Sequence, residues 1–189
     1  MDIGLALKMP RLAAWLVIGW LFSPVALASA EQALVPTFEA ASQATSPANS
    51  QQQRWEKKMS PRLARFVSSA DLHALILQRV YQEASLAGLP PSLILALIEV
   101  ESAFRADAVS SAGAVGLMQI MPFWIEELGL AADNLKDPAR NLRYGCTILA
   151  HYLAVENGDF TRALARYNGS LGKTWYPERV MRAWQRNWR

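Results

Sequence analysis

After the start signal Pro90-Pro91-Ser92 the chain runs Leu93-Ile94-Leu95-Ala96-Leu97-Ile98-Glu99-Val100-Glu101-Ser102-Ala103-Phe104. Coiled as a helix, this stretch is apolar on almost every side, and a helix of that kind is normally buried. The rest of the chain must therefore build around it. Yet two carboxylates stand near its end. Leu93, Leu97 and Glu101 fall at i, i+4 and i+8 on one stripe. Glu99 points about 200° away from Glu101 at ~100° per residue. One acid is thus delivered along a row of leucines and the other to a different face. A carboxyl held in apolar surroundings has its pKa raised, and a retained proton is what a general acid needs. Spacing alone favours the plainer reading, a solvated helix end where Glu is common.

The remaining pattern is helical. Ser60-Pro61 reads as a cap followed by Pro at the first helical position, opening a short helix over 62–68. Asp71 opens a longer helix with Leu72, Leu75, Ile76, Val80 and Ala84 on its apolar face and Gly88 as its stop. After the central helix, residues 105–116 form a loop of small residues that can lie close to other backbone. Met121-Pro122 leads into a helix ending near Gly129. Asp137-Pro138 starts one over 139–157, Asp159 starts a short one ending at Tyr167-Asn168-Gly169, and Pro177 begins the last. With no strand pattern and no internal repeat, the expected fold is all-α with short connections.

Residues 1–30 read as a secretory signal peptide. Lys8 and Arg11 precede the apolar run Leu12 to Leu27, and Ala28-Ser29-Ala30 is an A-x-A cleavage site. The alternative is an uncleaved anchor in the inner membrane. Residues 31–58 are rich in Ala, Ser, Gln and Pro and read as a flexible linker, which leaves residues 59–189 as the folded domain. Cys146 shares a helical stripe with Leu142, Leu149 and Leu153 and reads as a small core residue. His73 and His151 have no ligand-spaced partners, so neither a metal nor another cofactor is expected. The formal charge of +3 lacks the dense basic stripe of a nucleic-acid binder.

Glu101-Ser102, then Gly116-Leu117-Met118-Gln119 with Met121-Pro122, then Tyr167-Asn168-Gly169 follow one another at intervals typical of one family. The stretch from about residue 70 to 183 resembles the catalytic domain of the soluble-type lytic transglycosylases, relatives of the goose-type lysozymes. Any one motif is weak, but the ordered set is specific. The resemblance implies a compact lysozyme-like helical domain acting on peptidoglycan glycan strands. It implies cleavage of the β-1,4 bond from N-acetylmuramic acid to N-acetylglucosamine without water, leaving a 1,6-anhydro ring. A periplasmic monomer engaged in murein turnover is expected, with envelope-spanning or divisome complexes as further partners. The rivals are a lysozyme-type hydrolase on the same scaffold, a catalytically silent peptidoglycan-binding module and an interaction protein of an envelope-spanning machine.

Carried over position by position, Glu101 matches the catalytic acid, which protonates the leaving oxygen and then serves as base on the 6-hydroxyl. Gln119 matches a sugar-bonding residue, and Met118 and Met121 match apolar positions near the acid. Ser110 matches a serine near the N-acetyl group, and Tyr167 a tyrosine whose hydroxyl lies near the acid. Asn168 shapes the turn behind Tyr167, and Glu178 matches a late acid that contacts sugar or peptide. Two departures from the pattern stand out. Gly169-Ser170-Leu171-Gly172 replaces the frequent Ala-Gly-Pro-Gly, and Glu99 stands where Arg or Gln is common. If both acids are buried each raises the other's pKa, so Glu99 is expected to be exposed or partnered, with an Arg as one candidate. Trp124 and Trp175 are candidates for stacking on sugar rings, with core or rim packing the safer reading.

Overall fold

The computed structural model describes residues 47–129 and 134–189. The signal-peptide reading and the linker reading up to residue 46 lie outside the described residues. Seven α-helices are present among those described: α1 (Pro47–Leu63), α2 (Ala70–Leu86), α3 (Pro91–Ser102), α4 (Phe123–Glu127), α5 (Pro138–Val155), α6 (Phe160–Tyr167) and α7 (Trp175–Ala183). A π-helical turn, Trp184–Trp188, continues α7. There is no strand among the described residues. Two isolated bridges, Val109 with Val115 and Val115 with Ile120, pin the long loop between α3 and α4. The expected all-α class is the class observed.

Helix α3 is the centre of the packing. Leu93, Ile94, Leu95, Ala96, Leu97 and Ile98 have no exposed surface at all. Each such aliphatic side chain contributes about 1.5–3 kcal/mol. α7, the π turn and α2 all pack against α3. The helix ends at Ser102, two residues before the apolar run does. Ala103 and Phe104 both turn left-handed, at φ 50° and 63°. This sharp bend drops the Phe104 ring between Phe66 and Trp188, with centroids at 5.2 and 5.5 Å.

Three other helix starts follow the side chains that cap them. Ser69 accepts from the Leu72 amide, Asp137 from Arg140 and Asp159 from Arg162. Each satisfies a backbone donor that the first turn leaves without a partner.

The N-terminal boundary differs from the sequence reading. Residues 47–58, read as flexible linker, belong to α1, and Ser60-Pro61 sits near the end of that helix instead of opening one. Trp55, Met59 and Leu63 fall at i, i+4 and i+8, a single apolar stripe. Met59 and Leu63 are fully buried, and the Trp55 ring lies 5.4 Å from that of Tyr81. A polar composition does not prevent folding when one stripe is enough to dock and the remaining Gln, Lys and Arg residues are good helix formers.

Candidate active site

The site assembles at the C-terminal end of α3. Its first support is the neighbour of Glu101. The Ser102 hydroxyl donates to the Leu117 carbonyl at 2.8 Å, tying the helix end to the long loop. That loop is held from the other side by Asn141 of α5, which is completely buried. Asn141 accepts from the Met118 amide at 2.7 Å and donates to the carbonyls of Val115 at 2.8 Å and Leu135 at 2.9 Å. The fit is close enough to require glycine at 116. At φ +82°, an added Cβ would lie 2.3 Å from the Asn141 amide nitrogen. Gly145 has the matching role beneath Met118, whose sulfur would be 2.3 Å from a Cβ there.

On this platform Glu101 is half-buried, and Tyr176 of α7 donates a hydrogen bond from its hydroxyl to Oε1 of Glu101. Burial pushes the Glu101 pKa above the ordinary glutamate value. The Tyr176 hydrogen bond and the charge of Arg179 act in the opposite direction and do not offset it. The Tyr176 ring is buried at 2% exposure. Burial, and then the neighbouring Glu101 carboxylate, hold its hydroxyl pKa well above the usual tyrosine range, so it remains a donor. Tyr167 is in the same condition for the same leading reason, burial, followed by the field of Glu101. Its hydroxyl donates to the Met118 carbonyl at 2.7 Å. The arrangement is a protonatable carboxyl in a low-dielectric setting, held by one neutral donor, Tyr176: the equipment of a general acid that can also act as a base.

Glu99 faces away, as the helical wheel requires, and has partners. Asn187 donates to both of its carboxylate oxygens at 2.9 Å, and the Trp188 indole donates to Oε2 at 2.7 Å. The partners are an amide and an indole from the π turn, where an arginine had been the candidate.

The other expected site residues fall in several places. Gln119, at φ 50°, lies in the long loop, and its amide nitrogen donates to the carbonyls of Gly116 at 2.9 Å and Ala108 at 3.3 Å. Ser110 uses its hydroxyl to accept from the Ala114 amide at 3.0 Å, closing the tip of the same loop. The Met118 side chain is fully buried over Gly145, so the group it offers to a site residue is its carbonyl. Met121 is half-buried at the loop's exit, Asn168 is exposed at the end of α6, and Glu178 is exposed in the first turn of α7. Trp124 packs edge-on against Tyr152, whereas Trp175 is 52% exposed beside Tyr176.

Tyr176 is the site residue that the sequence reading did not find. α7 begins at Trp175, two residues ahead of the Pro177 start signal, and this turns Tyr176 inward. The available signal was an aromatic directly before a helix-start Pro.

The profile of the transglycosylase SLT domain matches residues 79–185, which takes in α3, the loop, Tyr167 and Tyr176. The chain belongs to the transglycosylase SLT domain family. The transglycosylase of Enterobacteria phage PRD1 is 34% identical over 101 residues, covering 50% of this chain and 37% of the phage protein. The membrane-bound lytic murein transglycosylase C of Salmonella arizonae is 36% identical over 109 residues, covering 49% and 30%. The endo-type membrane-bound lytic murein transglycosylase A of Klebsiella pneumoniae is 39% identical over 83 residues, covering 38% of each. The matches thus span well under half the length of these relatives. Among solved structures, the lytic transglycosylase Slt of Pseudomonas aeruginosa is 32% identical and covers 67% of this chain and 20% of that one, with a TM-score of 0.47.

Proposed function

We propose that this SLT-domain protein is a peptidoglycan lytic transglycosylase that uses Glu101 as its single catalytic carboxyl. The observation that carries the reading is the state of that carboxyl. It is half-buried at the end of α3 and held by the Tyr176 hydroxyl, burial pushes its pKa up, and among the described residues the charge acting on it is that of Arg179, not of a second acid. Glycosidases of the common two-carboxylate kind need a nucleophile or base opposite the acid. The nearest acid in sequence, Glu99, is turned away and bonded to Asn187 and Trp188.

Glu101 in its protonated form donates to the oxygen linking muramic acid to glucosamine, and the bond to the anomeric carbon breaks. The substrate N-acetyl group stabilises the cationic centre, the substrate-assisted route. Glu101, now a carboxylate, removes the proton from the 6-hydroxyl of the same muramic residue. That oxygen closes on the anomeric carbon, giving the 1,6-anhydro ring and regenerating the acid. The intramolecular hydroxyl has a large effective-concentration advantage over water. Tyr176 fixes the carboxyl, and Tyr167 fixes the loop carrying Gln119. Ser110, Gln119, Met121, Asn168 and Glu178 are the residues assigned to the substrate side.

The protein acts in the cell envelope, on the periplasmic side, as a secreted chain. Its partner is the glycan strand, and envelope-spanning or divisome complexes are further partners. The test is solubilisation of purified peptidoglycan by the full chain and by Glu101→Gln. The variant is expected to keep wall binding and lose release by about 10²-fold or more. Residual release above about a tenth of the parent rate, against the ~10²-fold minimum for a lost acid, contradicts the single-acid scheme.

A further inference from the structure

A cleft of ≈ 320 Å³ runs beside the active site, lined by Glu99, Val100, Arg179, Arg182, Ala183 and Arg186. The three arginines stand at i, i+3 and i+7, which places them on one face of the C-terminal helical segment. Four arginines elsewhere in the fold are ion-paired: Arg79 and Arg143 with Glu83, Arg162 and Arg166 with Glu156. Arg179, Arg182 and Arg186 have no ion-pair partner within 4 Å among the described residues, and the one acid in the cleft is already bonded to Asn187 and Trp188. The cleft also connects to the chemistry, because Arg179 lines it and acts on the Glu101 carboxyl.

Three guanidinium groups converging on a concave surface form a carboxylate receptor, since each presents a planar fork that matches a carboxylate in two-point fashion. In a peptide-bearing glycan seated over Glu101 the muramic lactyl carboxyls are tied up as amides, and the free carboxylates are those of the attached peptide. We propose that the Arg179–Arg182–Arg186 cleft binds the carboxylates of this stem peptide, so that the enzyme prefers peptide-bearing strands. The proposal rests on the transglycosylase reading for its substrate, and Arg182 and Arg186 then serve as specificity residues with no part in the proton transfers.

The test has two arms. In the first, the free tripeptide L-alanyl-γ-D-glutamyl-meso-diaminopimelic acid is titrated calorimetrically into the full chain and into an Arg182→Gln, Arg186→Gln double variant. Saturable binding, weakened at least about tenfold in the variant, is expected from the loss of two charge-assisted contacts. Absent binding, or equal binding by both proteins, overturns the proposal. Binding of phosphatidylglycerol vesicles through the same arginines, with the tripeptide ignored, overturns it in favour of a lipid headgroup.

In the second arm, fragment release is compared on native peptidoglycan and on the same material stripped of peptides by an amidase, with the lactyl carboxyls that this frees then converted to neutral amides. The variant is expected to lose about tenfold in kcat/KM on native wall and to match the parent on stripped glycan. Equal losses on both substrates mean a structural or glycan-binding role and overturn the proposal. If the parent releases nothing from either, the transglycosylase reading fails, and the titration still decides what the cleft binds.

Discussion

The Tyr176 hydroxyl donates a hydrogen bond to Oε1 of Glu101, joining residues 75 positions apart in the chain. The bond favours the carboxylate form and so lowers the Glu101 pKa against the larger upward effect of burial. Removing it has a predictable sign. In Tyr176→Phe the Glu101 pKa rises further, so the alkaline limb of the pH–rate profile moves to higher pH. At the optimum the rate falls by about tenfold, since a hydrogen bond to a charged group is worth ~1.5–3 kcal/mol and only part of it is specific to the transition state. A pH profile of kcat/KM on soluble glycan measures both. An unshifted alkaline limb with a reduced rate would make Tyr176 a packing residue only.

Burial of Glu101 also makes stability depend on pH. Its folded pKa is raised above the ordinary value of 4.5. The stability it contributes is fully present below the unfolded value and is lost as pH rises through the folded value. Glutamine never ionises. Glu101→Gln should therefore melt close to the parent below about pH 4.5 and progressively above it as pH rises. Each kcal/mol of relieved burial appears as about 2–4 °C in Tm. A Tm difference that is constant from pH 4 to pH 8 would show that the carboxyl is solvated.

Glu99 is expected to stabilise the fold without taking part in catalysis. Glu99→Gln replaces an oxygen facing the Asn187 amide or the Trp188 indole with a second donor. The cost is about 1–3 kcal/mol of stability, the penalty for a partly buried donor without an acceptor. Denaturant unfolding measures that, and turnover per folded molecule should fall far less than in Glu101→Gln. Equal losses of turnover in the two variants would assign the chemistry to the pair.

Asn141 is the strut of the loop that carries Gln119. Asn141→Ala removes three hydrogen bonds to the backbone of that loop and its C-terminal neighbour, leaving the Met118 amide and the Val115 and Leu135 carbonyls without their partner. A loss of about 2–4 kcal/mol is expected, from several buried backbone groups left unsatisfied at ~1–3 kcal/mol each. Hydrogen exchange at the Met118 amide should speed up most. Protection there equal to that of the parent would mean that the loop holds itself.

The sequence made the core legible where periodicity and caps agree. The run at 93–98, the caps Asp137 and Asp159, and Cys146 on its stripe all stand as read. The buried thiol has its pKa pushed up by burial first and by Glu83 second, the condition of an inert core cysteine. Composition misled at α1, because three apolar residues at helical spacing are diluted by their polar neighbours in any count. The Glu99 partners and Tyr176 were illegible for a different reason. Both depend on where α7 and the π turn place side chains across the fold, and no local pattern records such distances. Glu101 itself was distinguishable by its stripe, but its selection over a solvated acid came from the ordered motifs.

The central claim is that a single carboxyl drives an intramolecular ring closure, and the mass of the released fragments tests it directly. Purified peptidoglycan is digested with the full chain, and the soluble fragments are analysed by mass spectrometry. Fragments ending in 1,6-anhydromuramic acid, absent from the Glu101→Gln digest, are the predicted result. Fragments with ordinary reducing ends, heavier by one water, would contradict the claim and make the protein a hydrolase.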